Sequence, residues 1–317
     1  MPDTALMETR LFFAGANCRL SAVEFGHAGS NQHQDQQAKP ALVLVHGMRD
    51  HALSMTSIAR AFEASHRVLA LDVRGHGHSD NPGSYAMVQM VADLRALVLH
   101  CQLQRPILVG HSLGGHIVSR YAAAFPDELT AMVLLDGMGP PRPTAAAPSE
   151  AELQQQLRLQ VESILALGSD LRPMADHADA LARLQRNNPG LARATAELIV
   201  AAGVEPHPQG GIRWRWDPAM NMVWQTFSSE ETEDHMRWVR CPVLIVTGDR
   251  ALQYWTGGRM GLQASEALYA AELQRRQQLF VDARHEVIAD AGHMLHYDQP
   301  EQLNVLLTAF INGLARR

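Results

Sequence analysis

The sequence predicts an α/β protein with a mostly parallel central sheet flanked by helices. Short, almost fully apolar runs alternate with segments whose apolar residues recur at helical spacing. Such runs are typical of strands buried on both faces, and their alternation with helices is typical of βαβ units. A proline-rich stretch and a long segment without strand pattern interrupt the alternation before it resumes. One α/β core with an insertion is therefore expected.

The first half of the chain supplies most of the predicted core. Residues 9–26 predict an antiparallel hairpin that turns at residues 15–17, and the polar residues 29–40 predict a surface loop. Buried strands are predicted at 41–47, 67–75, 106–112 and 129–137. Helices are predicted at 52–64, at 84–102 and directly after the third of these strands.

The insertion begins where the strand pattern stops. Residues 139–148 are too rich in proline for a helix or a central strand. Residues 149–203 predict helices without strands, and a tryptophan-bearing segment follows at 211–224. Strands at 243–249 and 285–293, with helices near 262–279 and 299–315, then complete the core. The expected domains are a core formed by 1–139 and 236–317 and an insertion formed by 140–235. The first inserted helix carries one apolar stripe (Leu153, Leu157, Val161, Ile164, Leu165).

Composition and charge disfavour several classes of protein. The net charge of −6 argues against a nucleic-acid-binding surface and against a polybasic membrane anchor. No uncharged apolar run approaches the length needed to span a bilayer, and the first residues lack a secretory signal pattern. The three cysteines are widely spaced, so we expect no disulfide framework and a reducing, cytoplasmic location.

A G-x-S-x-G sequence, residues 110–114, carries the strongest chemical signal. An apolar strand runs directly into it and a helix leaves directly from it. In that setting a tight strand–turn–helix holds the serine in a strained conformation, here Ser112, with the positive end of the helix behind it. A buried helix-capping serine is the alternative interpretation.

Four motifs in order resemble the α/β-hydrolase superfamily. They are VHGM (45–48), DVRGHGHSD (72–80), GHSLGG (110–115) and AGHMLHYDQPE (291–301). The resemblance covers nearly the whole chain outside 140–235 and is closest to the lid-bearing esterases, epoxide hydrolases, dehalogenases and carbon–carbon bond hydrolases. It implies an α/β-hydrolase fold in which residues 140–235 form a helical lid, or cap domain.

The resemblance implies that Ser112 is the nucleophile, on a nucleophile elbow, and that a histidine after the last strand is its base. His293 fits the family's pattern, and His296 is the competitor. The triad also needs a carboxylate that orients the imidazole.

The identity of this carboxylate is left open between two aspartates. The usual acid position, three residues after Gly248, is occupied by Ala251. Some superfamily members place the acid after an earlier strand, which corresponds here to Asp136. We favour Asp136 over Asp249 as the triad acid.

The oxyanion hole and the absence of a cofactor also follow from the resemblance. Its two donors are expected to be the backbone N–H groups of Met48 and Leu113. No cofactor or metal is expected, since His76 and His78 have no third ligand nearby in sequence.

Bulky side chains of the insertion are the only features of the sequence that indicate the type of substrate. An apolar acyl or aromatic group would suit them, although they could equally pack the insertion onto the core. Epoxide hydrolysis and dehalogenation are disfavoured, because the predicted nucleophile is serine and not the aspartate that such chemistry uses in the superfamily. Epoxide hydrolases also carry a pair of lid tyrosines, and 140–235 contains no tyrosine. The candidate pocket residues are Trp214, Trp216, Met220 and Trp224.

The sequence therefore predicts a serine hydrolase acting on a carboxylic ester or similar acyl bond of a small molecule. One alternative is a carbon–carbon bond hydrolase that cleaves diketone-like products of aromatic breakdown. The other is a non-catalytic small-molecule receptor on the same fold. The oligomeric state is not predicted.

Overall fold

An eight-stranded sheet forms the centre of the molecule. The computed structural model describes residues 8–26, 39–141, 149–166, 173–257 and 264–314. The strands of the sheet are β1 (Glu8–Ala14), β2 (Arg19–Phe25), β3 (Ala41–Val45), β4 (Arg67–Asp72), β5 (Ile107–His111), β6 (Ala131–Leu135), β9 (Val243–Gly248) and β10 (Ala283–Ile288). Two further strands, β7 (Val204–Pro206) and β8 (Ile212–Trp214), form a separate hairpin.

The strand order is β1-β2-β4-β3-β5-β6-β9-β10. Pairing is parallel from β4 through β10, and antiparallel for β1 with β2 and for β2 with β4. The carboxyl ends of the parallel strands therefore meet at one edge, where ligands bind in open α/β sheets. The predicted fold class, including the first hairpin, is confirmed.

Helices of the core cover both faces of the sheet, and further helices lie in the insertion. They are α1 (Thr56–Phe62), α2 (Met87–His100), α3 (Leu113–Ala124), α4 (Glu150–Leu165), α5 (His177–Asn187), α6 (Arg193–Gly203), α7 (Ser229–Trp238), α8 (Leu252–Thr256), α9 (Glu266–Gln277), α10 (Leu295–Asp298) and α11 (Pro300–Leu314). Short 3₁₀ helices lie at Ala52–Met55 and Pro218–Thr226.

Two apolar clusters, one on each face, explain the continuous apolar strands. Successive residues of β3 point to opposite faces, so Val43 joins the cluster under α2 and α3, and Leu44 joins the cluster under α1 and α11. Both side chains are fully buried. A strand that is covered on both faces needs apolar residues at every position, which is the pattern of the sequence.

The segment between β6 and β9 differs from the expected helical lid in one respect. It is not helical throughout, since β7 and β8 follow α6 directly. These strands have only three residues each, too few for a clear periodic pattern. The apolar stripe of α4 is present, but its side chains are exposed, and no residue of α4 is buried.

Parts of several predicted elements lie outside the described residues. These parts are most of the loop at 29–40, most of the proline-rich stretch at 139–148, residues 167–172 of the helical segment, the start of the helix near 262–279 and the last residue of the helix at 299–315. Across the described ranges, no helix is long and apolar enough to cross a membrane.

Candidate active site

Ser112 occupies a tight turn between β5 and α3. Its backbone φ is 50° and its ψ is −114°, a left-handed conformation that a non-glycine residue rarely adopts. The glycines around it are required by space. A Cβ atom at Gly114 would lie 2.1 Å from the carbonyl oxygen of Val45, and one at Gly110 would lie 2.4 Å from the carbonyl oxygen of Gly114. The turn therefore exposes the serine at the carboxyl edge of the sheet, at the cost of local strain.

His293 and Asp136 are joined by a short hydrogen bond. The Nδ1 atom of His293 lies 2.5 Å from Oδ2 of Asp136, and both side chains are buried. Asp136 follows β6, has a φ of 42°, and donates its backbone N–H to the carbonyl of Val246 in β9. Its other carboxylate oxygen accepts a hydrogen bond of 3.1 Å from the hydroxyl of Tyr269. Burial raises the pKa of Tyr269, and the adjacent carboxylate raises it further, so the phenol remains a donor.

The two competing candidates lie elsewhere. Asp249 accepts the backbone N–H groups of Asp290 at 3.0 Å and Ala291 at 3.2 Å, so its carboxylate caps the turn after β10. His296 is buried in α10, with its Nε2 3.8 Å from Oδ2 of Asp50.

Both predicted oxyanion donors lie beside the serine. Leu113 follows Ser112 at the start of α3, where backbone N–H groups lack partners within the helix. Met48 follows Gly47, where an added Cβ atom would lie 3.2 Å from the Cβ of Ser112. In the described part of the chain, neither backbone N–H donates a hydrogen bond.

Two features around His293 were not predicted from the sequence. The Nε2–H of His111 donates a hydrogen bond of 2.9 Å to the carbonyl of His293, and burial lowers the pKa of His111 well below its ordinary value. The ring of Tyr254 stacks on the imidazole of His293, with centroids 3.8 Å apart and planes at 10°. Position 254 lies in no recognised motif, so folding alone reveals this contact.

A cavity of about 1050 Å³ opens onto Ser112 and His293. Trp214 and Trp216, from the inserted segment, contribute to its wall. Two other predicted pocket residues do not line it. Met220 is fully buried in the apolar cluster that contains Tyr85, and Trp224 lies outside the cavity wall with its ring edge-on to His116. Periodicity indicates that a bulky side chain is buried, but not which cavity it faces.

The first histidine of the second motif, His76, has structural partners for both ring nitrogens. The Nε2 atom of His76 accepts the backbone N–H of Arg49 at 2.9 Å, and its Nδ1–H donates to the carbonyl of Arg74 at 3.2 Å. Burial lowers the pKa of His76 to about 3. Within the described ranges, no three His, Cys, Asp or Glu side chains gather in an arrangement that could hold a metal ion.

Comparison with known proteins gives the same fold. Epoxide hydrolase 4 of Mus musculus is 22% identical over 315 residues, which cover 96% of this chain and 81% of that protein. Serine hydrolase-like protein 2 of Homo sapiens is 24% identical over 301 residues, which cover 92% of each chain. The thioesterase domain from the curacin biosynthetic pathway superposes with a TM-score of 0.76 at 21% identity, covering 96% of this chain and 99% of that domain.

A family-level match extends over most of the sequence. The model of the alpha/beta hydrolase family matches residues 42–305, a range that includes Ser112, Asp136 and His293. The sheet order and the strand–turn–helix at Ser112 agree with this match. The chain therefore belongs to the alpha/beta hydrolase family.

Proposed function

We propose that this chain is a serine hydrolase that cleaves a carboxylic ester or a similar acyl bond through an acyl-enzyme intermediate. One observation carries the proposal: Ser112 and His293 line the same cavity, and Asp136 binds the far nitrogen of His293. A serine hydroxyl is a poor nucleophile until a base removes its proton. An imidazole held by a buried carboxylate is suited to that task.

In the first step, Oγ of Ser112 attacks the carbonyl carbon while Nε2 of His293 takes the hydroxyl proton. Asp136 remains ionised and stabilises the resulting imidazolium. Negative charge develops on the carbonyl oxygen, which accepts hydrogen bonds from the backbone N–H groups of Met48 and Leu113. Donors that are already in place stabilise this charge without reorganisation at the moment of reaction.

In the second step, the tetrahedral intermediate collapses to the acyl-enzyme. His293 gives its proton to the leaving oxygen, and the bond between that oxygen and the acyl carbon breaks. Water then attacks the acyl group on Ser112 while His293 takes a proton from it. The second collapse returns this proton to Oγ, releases the acid and restores the free enzyme.

We further propose that residues 140–235 form a lid that shapes the substrate pocket. Trp214 and Trp216 line the same cavity as the core residues Ser112 and His293, so a substrate would be enclosed between the insertion and the sheet edge. Such enclosure excludes water from the reacting groups. The two indole rings favour an apolar acyl or aromatic group next to the scissile bond.

The names of the relatives include several hydrolytic activities, and the nucleophile helps to choose among them. Epoxide hydrolysis in this superfamily uses an aspartate nucleophile, whereas this chain has Ser112 at that position. Serine is suited to acyl transfer, which includes the thioester cleavage named for one structural neighbour. Esters and thioesters are therefore the substrates to test first.

The decisive experiment compares three forms of the protein on p-nitrophenyl esters, acyl thioesters, lactones and amides. We expect Ser112→Ala to lower kcat/KM for its best ester by about 10⁶-fold. Ser119→Ala is the matched control, since Ser119 is buried in α3, the helix that follows Ser112, and its Oγ has no hydrogen-bond partner in the described part of the chain. The control should retain wild-type turnover.

Two results would contradict the proposal. Equal ester turnover by wild type and Ser112→Ala would exclude Ser112 as the nucleophile. A higher kcat/KM for vinylogous diketones than for every ester would favour the carbon–carbon bond hydrolase. A fluorophosphonate probe separates both enzymes from a receptor, because it should label wild type and Ser119→Ala but leave Ser112→Ala unlabelled.

A further inference from the structure

The imidazole of His293 is enclosed by groups from several elements. Asp136 binds its Nδ1, and the ring of His111 lies at a centroid distance of 4.9 Å, tilted by 49°. The indole of Trp255 meets the imidazole edge-on at 5.7 Å. The face of the imidazole is covered by Tyr254, whose ring is nearly parallel at 3.8 Å. This tyrosine is 47% exposed and lines the cavity, so packing of the core does not by itself account for its position.

The segment after β9 that leads into Tyr254 is attached to the loop that carries His293. Backbone N–H groups of Asp290 and Ala291 donate to the carboxylate of Asp249, and the N–H of Arg250 donates to the carbonyl of Ala291 at 2.9 Å. The Arg250 guanidinium also donates to the carbonyl of Asp290. The approach is so close that a Cβ atom at Gly248 would lie 2.0 Å from the carbonyl oxygen of Ala291. We call this set of contacts the loop latch.

The loop latch fixes the distance between the two rings. It joins the residues just before α8 to the turn just before His293, and Tyr254 lies in the short helix α8. The stack is therefore maintained by hydrogen bonds between the two segments and not by the two ring side chains alone. A ring held in this way restrains the imidazole in the orientation that Asp136 requires.

The face of an aromatic ring attracts a cation, by about 0.5–1 kcal/mol at exposed sites and about 2 kcal/mol when desolvated. His293 carries positive charge in the proposed mechanism only after it takes the serine proton. The usual acid position after β9 is Ala251, so this loop contributes no carboxylate there, and it presents an aromatic ring instead.

We propose that Tyr254 is a positioning residue that orients the imidazole of His293 and stabilises its protonated form through ring stacking. The inference rests on the proposed function for its catalytic consequence, but the stack itself is testable without turnover. The aromatic face carries the effect and the hydroxyl does not. Phenylalanine at position 254 should therefore preserve the effect on His293, and leucine should abolish it.

The first test follows the Hε1 resonance of His293 by NMR, assigned with H293Q, as pH is varied. A ring stacked on the imidazole shifts this resonance upfield, so we expect Y254F to match wild type and Y254L to move downfield. In Y254L the midpoint of the protonation curve should also fall by about half a unit to one unit of pH. Because this test needs no substrate, it stands even if ester hydrolysis is not observed.

The second test measures the kinetics of the same variants on the best ester. Y254L should lower kcat about tenfold with KM changed less than threefold, and the acid limb of its kcat/KM profile should move to lower pH. Y254F should show the kcat and the acid limb of the wild type. Trp238→Leu is the control, since Trp238 is an exposed ring that contacts a histidine, His235, on α7. It should behave as wild type.

Three outcomes would overturn the inference. The first is an unshifted His293 resonance and protonation midpoint in Y254L. The second is a Y254F variant that behaves like Y254L, which would assign the effect to the hydroxyl. The third is a Y254L enzyme with reduced kcat and an unmoved acid limb, because a merely structural defect would give that result.

Discussion

Two buried histidines, His76 and His116, make the folded chain sensitive to acid. Their side chains are 1% and 3% exposed, and burial lowers the pKa of each to about 3. The guanidinium groups of Arg120 and Arg276 lower the pKa of His116 further in the same direction. In the unfolded chain both histidines titrate near pH 6.5. Between about pH 6.5 and pH 3 the unfolded chain therefore binds two protons that the folded chain does not.

The sign and size of the effect follow from proton linkage. The free energy of unfolding is unaffected by these groups above pH 6.5, and below it each histidine removes about 1.4 kcal/mol per pH unit. At pH 5, about 1.5 units below 6.5, each costs about 2 kcal/mol, so the pair costs about 4 kcal/mol. Burial also lowers the pKa of His46 and His111, which adds to the loss. The free energy of unfolding of a typical domain is only about 5–15 kcal/mol in total.

Urea unfolding at pH 7.5 and pH 5.0, followed by circular dichroism, measures this difference directly. We expect the free energy of unfolding to be at least about 4 kcal/mol lower at pH 5.0. In His116→Leu the difference should shrink by about 2 kcal/mol, since one titrating group is removed. His177→Leu, at an exposed position, should leave the difference unchanged. Equal stability at the two pH values, or an unaltered difference in His116→Leu, would refute the reasoning.

Three further predictions concern the triad acid, the serine turn and a buried ion pair. In steady-state kinetics on one ester, Asp136→Asn should lower kcat about 10⁴-fold, and Asp249→Asn should lower it less than tenfold. The reverse order would assign the triad acid to the loop after β9. In urea unfolding, Gly114→Ala should destabilise the fold by about 3 kcal/mol or more, because its Cβ would meet a backbone carbonyl at 2.1 Å. The control Gly313→Ala, whose Cβ would point into open space, should be neutral or stabilising by up to about 1 kcal/mol. Asp93→Ala should lower the free energy of unfolding by about 3–5 kcal/mol in the same assay, since it leaves a buried arginine without the carboxylate 2.5 Å away. A loss below about 1 kcal/mol would show that the arginine finds another partner for its charge.

The core could be predicted because its signals are local. A buried parallel strand is apolar at each of about five consecutive positions, so β3 and β6 are visible without knowledge of their neighbours. The turn at Ser112 is visible for the same reason, since the residues of its G-x-S-x-G pattern fall within five consecutive positions. Local patterns of this kind are not altered by the rest of the fold.

The partner of His293 could not be settled in the same way. Asp136 lies 157 residues away from it in sequence, and Asp249 also follows a strand that ends at the same sheet edge. Only the fold decides which carboxylate reaches the imidazole and which one caps a neighbouring turn. The pocket residues illustrate the same limit, since Trp216 and Met220 are close in sequence but one lines the cavity and the other lies in the core.

Hydrogen bonds of the sheet explain why two members of the proposed triad hold strained conformations. The N–H of Ser112 donates to the carbonyl of Leu135 at 3.1 Å, and the N–H of Asp136 donates to the carbonyl of Val246 at 2.8 Å. Each bond continues the parallel ladder one residue beyond the end of a strand, so the sheet itself fixes both left-handed backbones.

His293 lacks this support because it lies on a loop beyond β10. Its position depends instead on the loop latch and on three contacts of the residue itself: the His111 N–H on its carbonyl, the Asp136 carboxylate on its ring nitrogen, and the Tyr254 ring on its face. Substitutions at these contacts should therefore affect catalysis more than stability, whereas substitutions in the Ser112 turn should affect both.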